Sequence, residues 1–219
     1  YYSYTQQIYP KTEVNAAGPG LITGLKFYLG TSAVIGNSNT WKVYIGTTTK
    51  SSFLSNTDWI PVSTLTQVFD GNVSNVNGEV TVVFNTAFIY NNTDNLVVSV
   101  DENKPSYDPG PLFYNYTEGG LTSILYGSST VNPDPANPPA ALGRSNQRSR
   151  ITFLGLTPSP APLCPVVSAP AAAATGVSVL PAITWGAALN ANFYTLSVGT
   201  SPGSTDILND FYVGNSTSY

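Results

Sequence analysis

Strand-length runs in which apolar and polar residues alternate recur along this chain, each closed by glycine, asparagine, aspartate or proline. That rhythm limits the fold more than any other feature. In WKVYIG (41–46), Trp41, Val43 and Ile45 share one face, and Lys42 and Tyr44 share the other. LKFYLG (25–30) repeats the pattern, with Leu25, Phe27 and Leu29 opposite Lys26 and Tyr28. EVTVVF (79–84), NLVVSV (95–100), PLFYNY (111–116), TSILYG (122–127) and RITFLGL (150–156) are further strand-length runs. No segment carries a helical period with caps at both ends. The spacing predicts an all-β, antiparallel β-sandwich of jelly-roll type over residues 1–157. The intervals 47–62 and 128–149 are predicted loops, the second marked by NPDPANPPAA, where proline blocks both ladder and helix.

Composition narrows the chemistry. Of 219 residues, none is histidine, which removes Ser-His and Cys-His catalysis and the commonest zinc and iron ligands. Carboxylate pairs are the main catalytic route left. Charged residues make up 9%, so the surface is built from Thr, Ser, Asn and Tyr. Eight scattered Lys and Arg and a net charge of −4 argue against a nucleic-acid partner. No run approaches the length of a membrane span, and YYSYTQQIYP at the start lacks the regions of a signal peptide, so an exported form would already have lost its signal. Cys164, the single cysteine, has no partner for an internal disulfide.

Two clusters carry the candidate sites. DNLVVSVDENKPSYDPG (94–110) is the densest group of carboxylates. With Leu96, Val98 and Val100 on the core face, Asp101 lies on the opposite face and Glu102 turns back towards the core. Asp94, Asp101, Glu102, Asn103 and Asp108 are oxygen donors of the kind a structural calcium ion takes, without the regular spacing of an EF-hand loop. Catalysis here would require Asp101 and Asp108 to converge across one substrate. The second cluster is Lys26 and Tyr28 with Lys42 and Tyr44, which would form a Lys/Tyr ligand-binding platform if their strands pair side by side.

TPSPAPLCPVVSAPAAAATG (157–176) breaks the composition, rich in Pro and Ala and free of charge. Residues 158–176 read as a stiff linker with a first strand, and 177–219 as a second unit. There, Ile183 and Trp185 of PAITW, and Tyr194, Leu196 and Val198 of NFYTLSVGT, are predicted to face inward. The Pro-rich start, PAITW, YTLSVGT and GSTDILNDFYVGNSTSY resemble part of a fibronectin type III module. A complete module of that kind needs about 100 residues. The remaining strands would come from a longer polypeptide or from another chain by strand addition.

The first unit is similar to a known module as well. YSYTQQIYPKTEVNAAGPGLITGLKFY, WKVYIGTTTKSSFLSNTDWIPVSTLTQVFDG, YNNTDNLVVSVDEN, NPDPANPP and RITFLGL resemble a β-sandwich module of large secreted surface proteins of the Bacteroidetes, often followed there by fibronectin type III modules. The resemblance implies export by the type IX secretion route and an extracellular, cell-surface location. It supplies no catalytic residue. The expectation is a secreted, non-enzymatic surface protein mediating adhesion or assembly, as a filament or surface-layer component. Its partners would be copies of itself, other protein chains or surface glycans. The alternative is a carbohydrate-binding accessory module of a secreted hydrolase, which requires an aromatic-lined groove on one sheet.

Overall fold

The computed structural model describes residues 1–108, 113–117, 119–158, 160–191 and 193–219. The chain divides into two compact units, Tyr1–Pro158 and Ser159–Tyr219. Nearly all its regular structure is antiparallel strand. In the first unit these are β1 (Tyr2–Tyr9), β2 (Gly20–Tyr28), β3 (Thr40–Thr48), β4 (Thr66–Asn72), β5 (Asn75–Val76), β6 (Glu79–Tyr90), β7 (Asn95–Glu102), β8 (Asn115–Thr117), β9 (Ser123–Ser128), β10 (Gly143–Ser145), β11 (Gln147–Ser149) and β12 (Ile151–Leu154). A single helical turn, α1 (Lys11–Val14), follows β1, and Val62–Thr64 form a 3₁₀ turn. Among the described residues no helix is long and apolar enough to cross a membrane.

Six strands form one sheet in the order β10-β9-β1-β7-β3-β4, and four form a second in the order β12-β2-β6-β5. Strands β8 and β11 pair separately. The predicted alternation holds in the central strands. Leu25 and Phe27 of β2, Trp41, Val43 and Ile45 of β3, Val80 and Val82 of β6, and Leu96 and Val98 of β7 are buried in one core between the two sheets. Gly24 sits where the β2–β6 register shifts, and a Cβ there would lie 2.6 Å from the Val82 carbonyl oxygen, so glycine is required at the bulge.

The other face of the six-stranded sheet is covered by connections. Ile8, Val97 and Ile124 project from it into a second buried cluster with Phe53, Ile60 and Ala141, flanked by Trp59 and Leu65. The predicted loop at 47–62 therefore forms a covering layer, tied to the sheet by reciprocal bonds between the Gln6 side chain and Ile60, at 2.7 Å to its carbonyl and 2.8 Å from its N–H. Trp59 Nε1 donates to the Pro139 carbonyl and Ala141 N to Asn56 O, joining that segment to residues 128–142.

Several expectations need correction. The interval 128–149 is not all loop, since it contributes β10 and β11. Strands β1 and β4 lie outside the predicted runs, and β6 extends to Tyr90. Of the predicted strand 111–116, residues 111 and 112 lie outside the described residues, while 115 and 116 belong to β8.

In the second unit, β13 (Val167–Ala169) pairs with β14 (Thr184–Trp185), and β15 (Tyr194–Val198) pairs with β16 (Leu208–Gly214). Thr217 and Tyr219 bond to Trp185 and Ile183, extending the β13–β14 pair. Trp185 and Tyr194 are buried, with ring centroids 5.6 Å apart.

Candidate functional site

The six-stranded sheet is wider than the four-stranded one, and its inner face changes character across its width. Over β3 and β7 that face is apolar. Over β1, β9 and β10 it is polar, because register places Gln7, Ser123 and Ser145 in one row and Thr5, Leu125 and Gly143 in the next. With β8 and β11 alongside, this overhang forms a groove of about 510 Å³, lined also by Phe113, Asn115, Gln147 and Ser149. A second cavity of about 200 Å³ shares Thr5, Gln7, Phe113 and Ser149 with it and continues to Ser3, Phe27, Ser38, Trp41 and Glu102. The two cavities adjoin along these shared residues, and together they reach from the sheet edge to the end of β7.

The groove wall is held by buried polar groups. Gln7 exchanges bonds with Ser149, accepting from its backbone N–H at 2.7 Å and donating to its Oγ at 3.1 Å. Arg148, only 1% exposed, lies between the rings of Tyr9 and Tyr116, donates to the Ile8 carbonyl at 3.0 Å and pairs with Glu13. Tyr116 Oη donates to the other Glu13 oxygen at 2.6 Å. Arg144 directs its guanidinium to the opposite side of the sheet, to Phe53 O and Asn56 Oδ1. The groove floor is therefore hydroxyl- and amide-rich, with apolar patches at Leu125 and Phe113 and with Arg144 and Arg148 also in its lining.

Its inner end is different. Glu102, 5% exposed, stands in register between Ser3 of β1 and Trp41 of β3. The inward placement expected for Glu102 and the outward one for Asp101 are both observed. Lys104 N donates to Glu102 Oε1 at 2.8 Å, while Oε2 is buried without a partner. Burial pushes the Glu102 carboxyl up to about 7. Three rings meet beside it, with centroid separations of 5.5 Å for Phe27–Trp41, 5.8 Å for Trp41–Phe113 and 6.0 Å for Phe27–Phe113.

The predicted carboxylate cluster is dispersed. Asp94 precedes β7 and accepts from Asn91 at 2.7 Å, whereas Asp101 and Glu102 end the same strand on opposite faces. Asp101 lies under the covering layer, flanked in register by Tyr4 and Lys42, and accepts from Asn103 Nδ2 at 2.9 Å. Burial raises its pKa. Asp108 takes the backbone N–H and side-chain amide of Asn37, at 2.6 and 3.0 Å. Asn103 also accepts from Asn132 at 2.8 Å. Asp94, Asp101, Glu102, Asn103 and Asp108 thus do not share one cavity, and among the described residues no three Asp, Glu, His or Cys side chains converge as metal ligands.

The Lys/Tyr platform is likewise not assembled, because β2 and β3 belong to different sheets. Lys26 pairs with Glu79 at 2.7 Å, and Tyr28 shares a 2.8 Å bond with Thr152 under the Arg150 guanidinium. Lys42 lies 4.0 Å from Asp70 on the face that carries Asp101. Tyr44 is half-buried on that face, and burial pushes its phenol up to about 12. Sequence reasoning missed the groove itself, whose one available signal was the run of polar residues Ser3, Thr5 and Gln7 in a strand ending in buried Ile8 and Tyr9. Compared with family models, curated proteins and solved structures, the chain matches none.

Proposed function

We propose that this chain is a secreted, non-catalytic surface module that mediates adhesion by holding a glycan in the groove over β1, β9 and β10. One observation carries the reading: among the described residues the floor offers Thr5, Gln7, Ser123 and Ser145 beside Leu125 and Phe113, while of the two arginines in its lining Arg148 pairs with Glu13 and Arg144 bonds to Phe53 O and Asn56 Oδ1. Hydroxyls and amides match a polyol, and apolar patches match the ring faces of sugars. Glu102 is the one carboxyl among the described residues lining the two cavities, so a facing pair for glycoside hydrolysis is not part of this reading. The resemblance to secreted surface modules supports an extracellular place of action.

The test is binding of neutral and amino oligosaccharides to the whole chain by calorimetry. Ser123→Trp and Ser145→Phe, which fill the groove, are expected to abolish binding at unchanged melting temperature. Tyr28→Ala and Tyr44→Ala should leave it unchanged. Loss of binding only on the tyrosine changes would move the site to the outer sheet faces and defeat the proposal.

Assembly of copies is a second reading, favoured by the second unit. Val179 and Leu180 are 95% and 88% exposed, and with Ile207 and Tyr219 they border an apolar hollow of about 710 Å³. Sedimentation velocity across a range of concentrations tests it; a mass that stays at one chain throughout rejects it.

A further inference from the structure

We propose that the inner end of the groove is an ammonium subsite, so that the preferred glycan carries a free amino group on one of its sugars. The inference rests on the groove being the glycan site and names the ligand's chemistry. The inward row of β7 runs Leu96, Val98, Val100 and then Glu102, so a carboxyl replaces an apolar residue where the sandwich core opens into the groove. A buried carboxyl oxygen without a partner is costly, and Glu102 Oε2 is such an atom. Neither nearby cation bonds to it: the Tyr1 ammonium, whose charge reaches Glu102, donates to Ser106 O. Lys104 gives Glu102 only its backbone N–H and turns its ammonium to Gly36 O and Asn39 Oδ1.

The neighbours select among ligands. Phe27, Trp41 and Phe113 supply ring surfaces that attract an ammonium and give nothing to an anion. A calcium ion would need six or more oxygens, which a cavity walled on one side by three rings does not offer. A neutral hydroxyl can bond to the carboxyl, but only a cation gains both the charge pair and the ring faces. The cavity, about 200 Å³, holds roughly the volume of six or seven liquid waters, enough for a head group joined to a chain that continues along the larger groove. Ser3, Thr5 and Ser38 at its rim can accept the remaining ammonium hydrogens.

The experiment compares β-1,4-linked tetramers of glucosamine, N-acetylglucosamine and glucose on the whole chain at pH 7, by calorimetry. The glucosamine tetramer is expected to bind about tenfold or more tightly than the other two. Glu102→Gln, which keeps the shape of the side chain, should erase that preference while leaving the neutral tetramers as they were. Equal affinity for all three, or a preference that survives Glu102→Gln, overturns the subsite and leaves the groove standing. Binding of none overturns both. Independently of any variant, ethanolammonium chloride should displace the glucosamine tetramer from the unaltered chain at concentrations where sodium chloride of equal ionic strength does not; equal displacement by the two salts also overturns the subsite.

Discussion

Glu102 and Arg148 are both nearly inaccessible side chains, and they behave in opposite ways. Arg148 has a counter-charge: Glu13 pairs with it, Ile8 O takes a second hydrogen and two tyrosine rings flank it, although its Nε is buried without a partner. Arg148 is buried while Glu13 is partly exposed, so water shares in screening the pair, and Glu13→Gln should lower stability by about 1 kcal/mol in urea unfolding followed in the first unit. Glu102 makes no ion pair among the described residues, and of its two oxygens only Oε1 has a partner. Its carboxyl titrates near 7 in the folded chain against an ordinary value of 4.5, because burial disfavours the charge. The folded state therefore holds an extra proton between those values, and stability is greatest below the lower one. It falls as pH rises towards about 7 and is level above that. Asp101, raised by burial on the other face of β7, adds to the same trend at the acid end. Urea unfolding should show the first unit losing on the order of 2 kcal/mol between pH 5 and pH 8. Glu102→Gln should flatten most of that slope, and an unchanged slope would remove Glu102 as its cause.

At the scale of elements, the covering layer depends on few ties. The Gln6 amide satisfies both the N–H and the carbonyl of Ile60, and its Nε2 also bonds Tyr4 Oη at 3.0 Å. Gln6→Ala leaves two buried backbone groups unpaired, a cost of about 2 kcal/mol or more. Hydrogen exchange should then quicken at Ile60 and Phe53, with the amides of Val43 and Val98 still protected; uniform quickening would mean that the layer is not separable from the sheet. The same elements show what could be read in the sequence. Strands β2, β3 and β7 were legible because one face of each enters an apolar core and the other does not, which is what alternation encodes. Strand β1 hid because its inward positions Ser3, Thr5 and Gln7 line the groove, so the strand that builds the site lacks the pattern of a strand that builds a core. Strands β10 and β11, three residues each, are too short for any period to show. The pairing of β2 and β3 with different partners was equally hidden, since alternation reports faces and says nothing about which sheet a strand joins. That is why the Lys26, Tyr28, Lys42 and Tyr44 platform did not survive.

Across the whole molecule, the two units bury very different amounts of apolar surface. The first has two buried clusters, of which the sandwich core includes Trp41, Phe27, Tyr90 and a dozen aliphatic side chains or more. Among its described residues the second buries only Trp185 and Tyr194 of its large side chains, while Val166, Val179, Leu180, Leu189, Ile207 and Tyr212 are each more than 60% exposed. Hydrophobic burial is the dominant favourable contribution to folding, and an isolated strand pair is marginal in water, so the second unit should unfold first. Calorimetry of the whole chain should give two transitions. The lower one should be reported by near-ultraviolet dichroism of Trp185 in a chain carrying Trp41→Phe and Trp59→Phe. Because the groove is built from residues of Tyr1–Pro158, glycan binding should persist at temperatures between the two transitions. A single cooperative transition, with binding lost at its midpoint, would show that the second unit is needed to hold the first together.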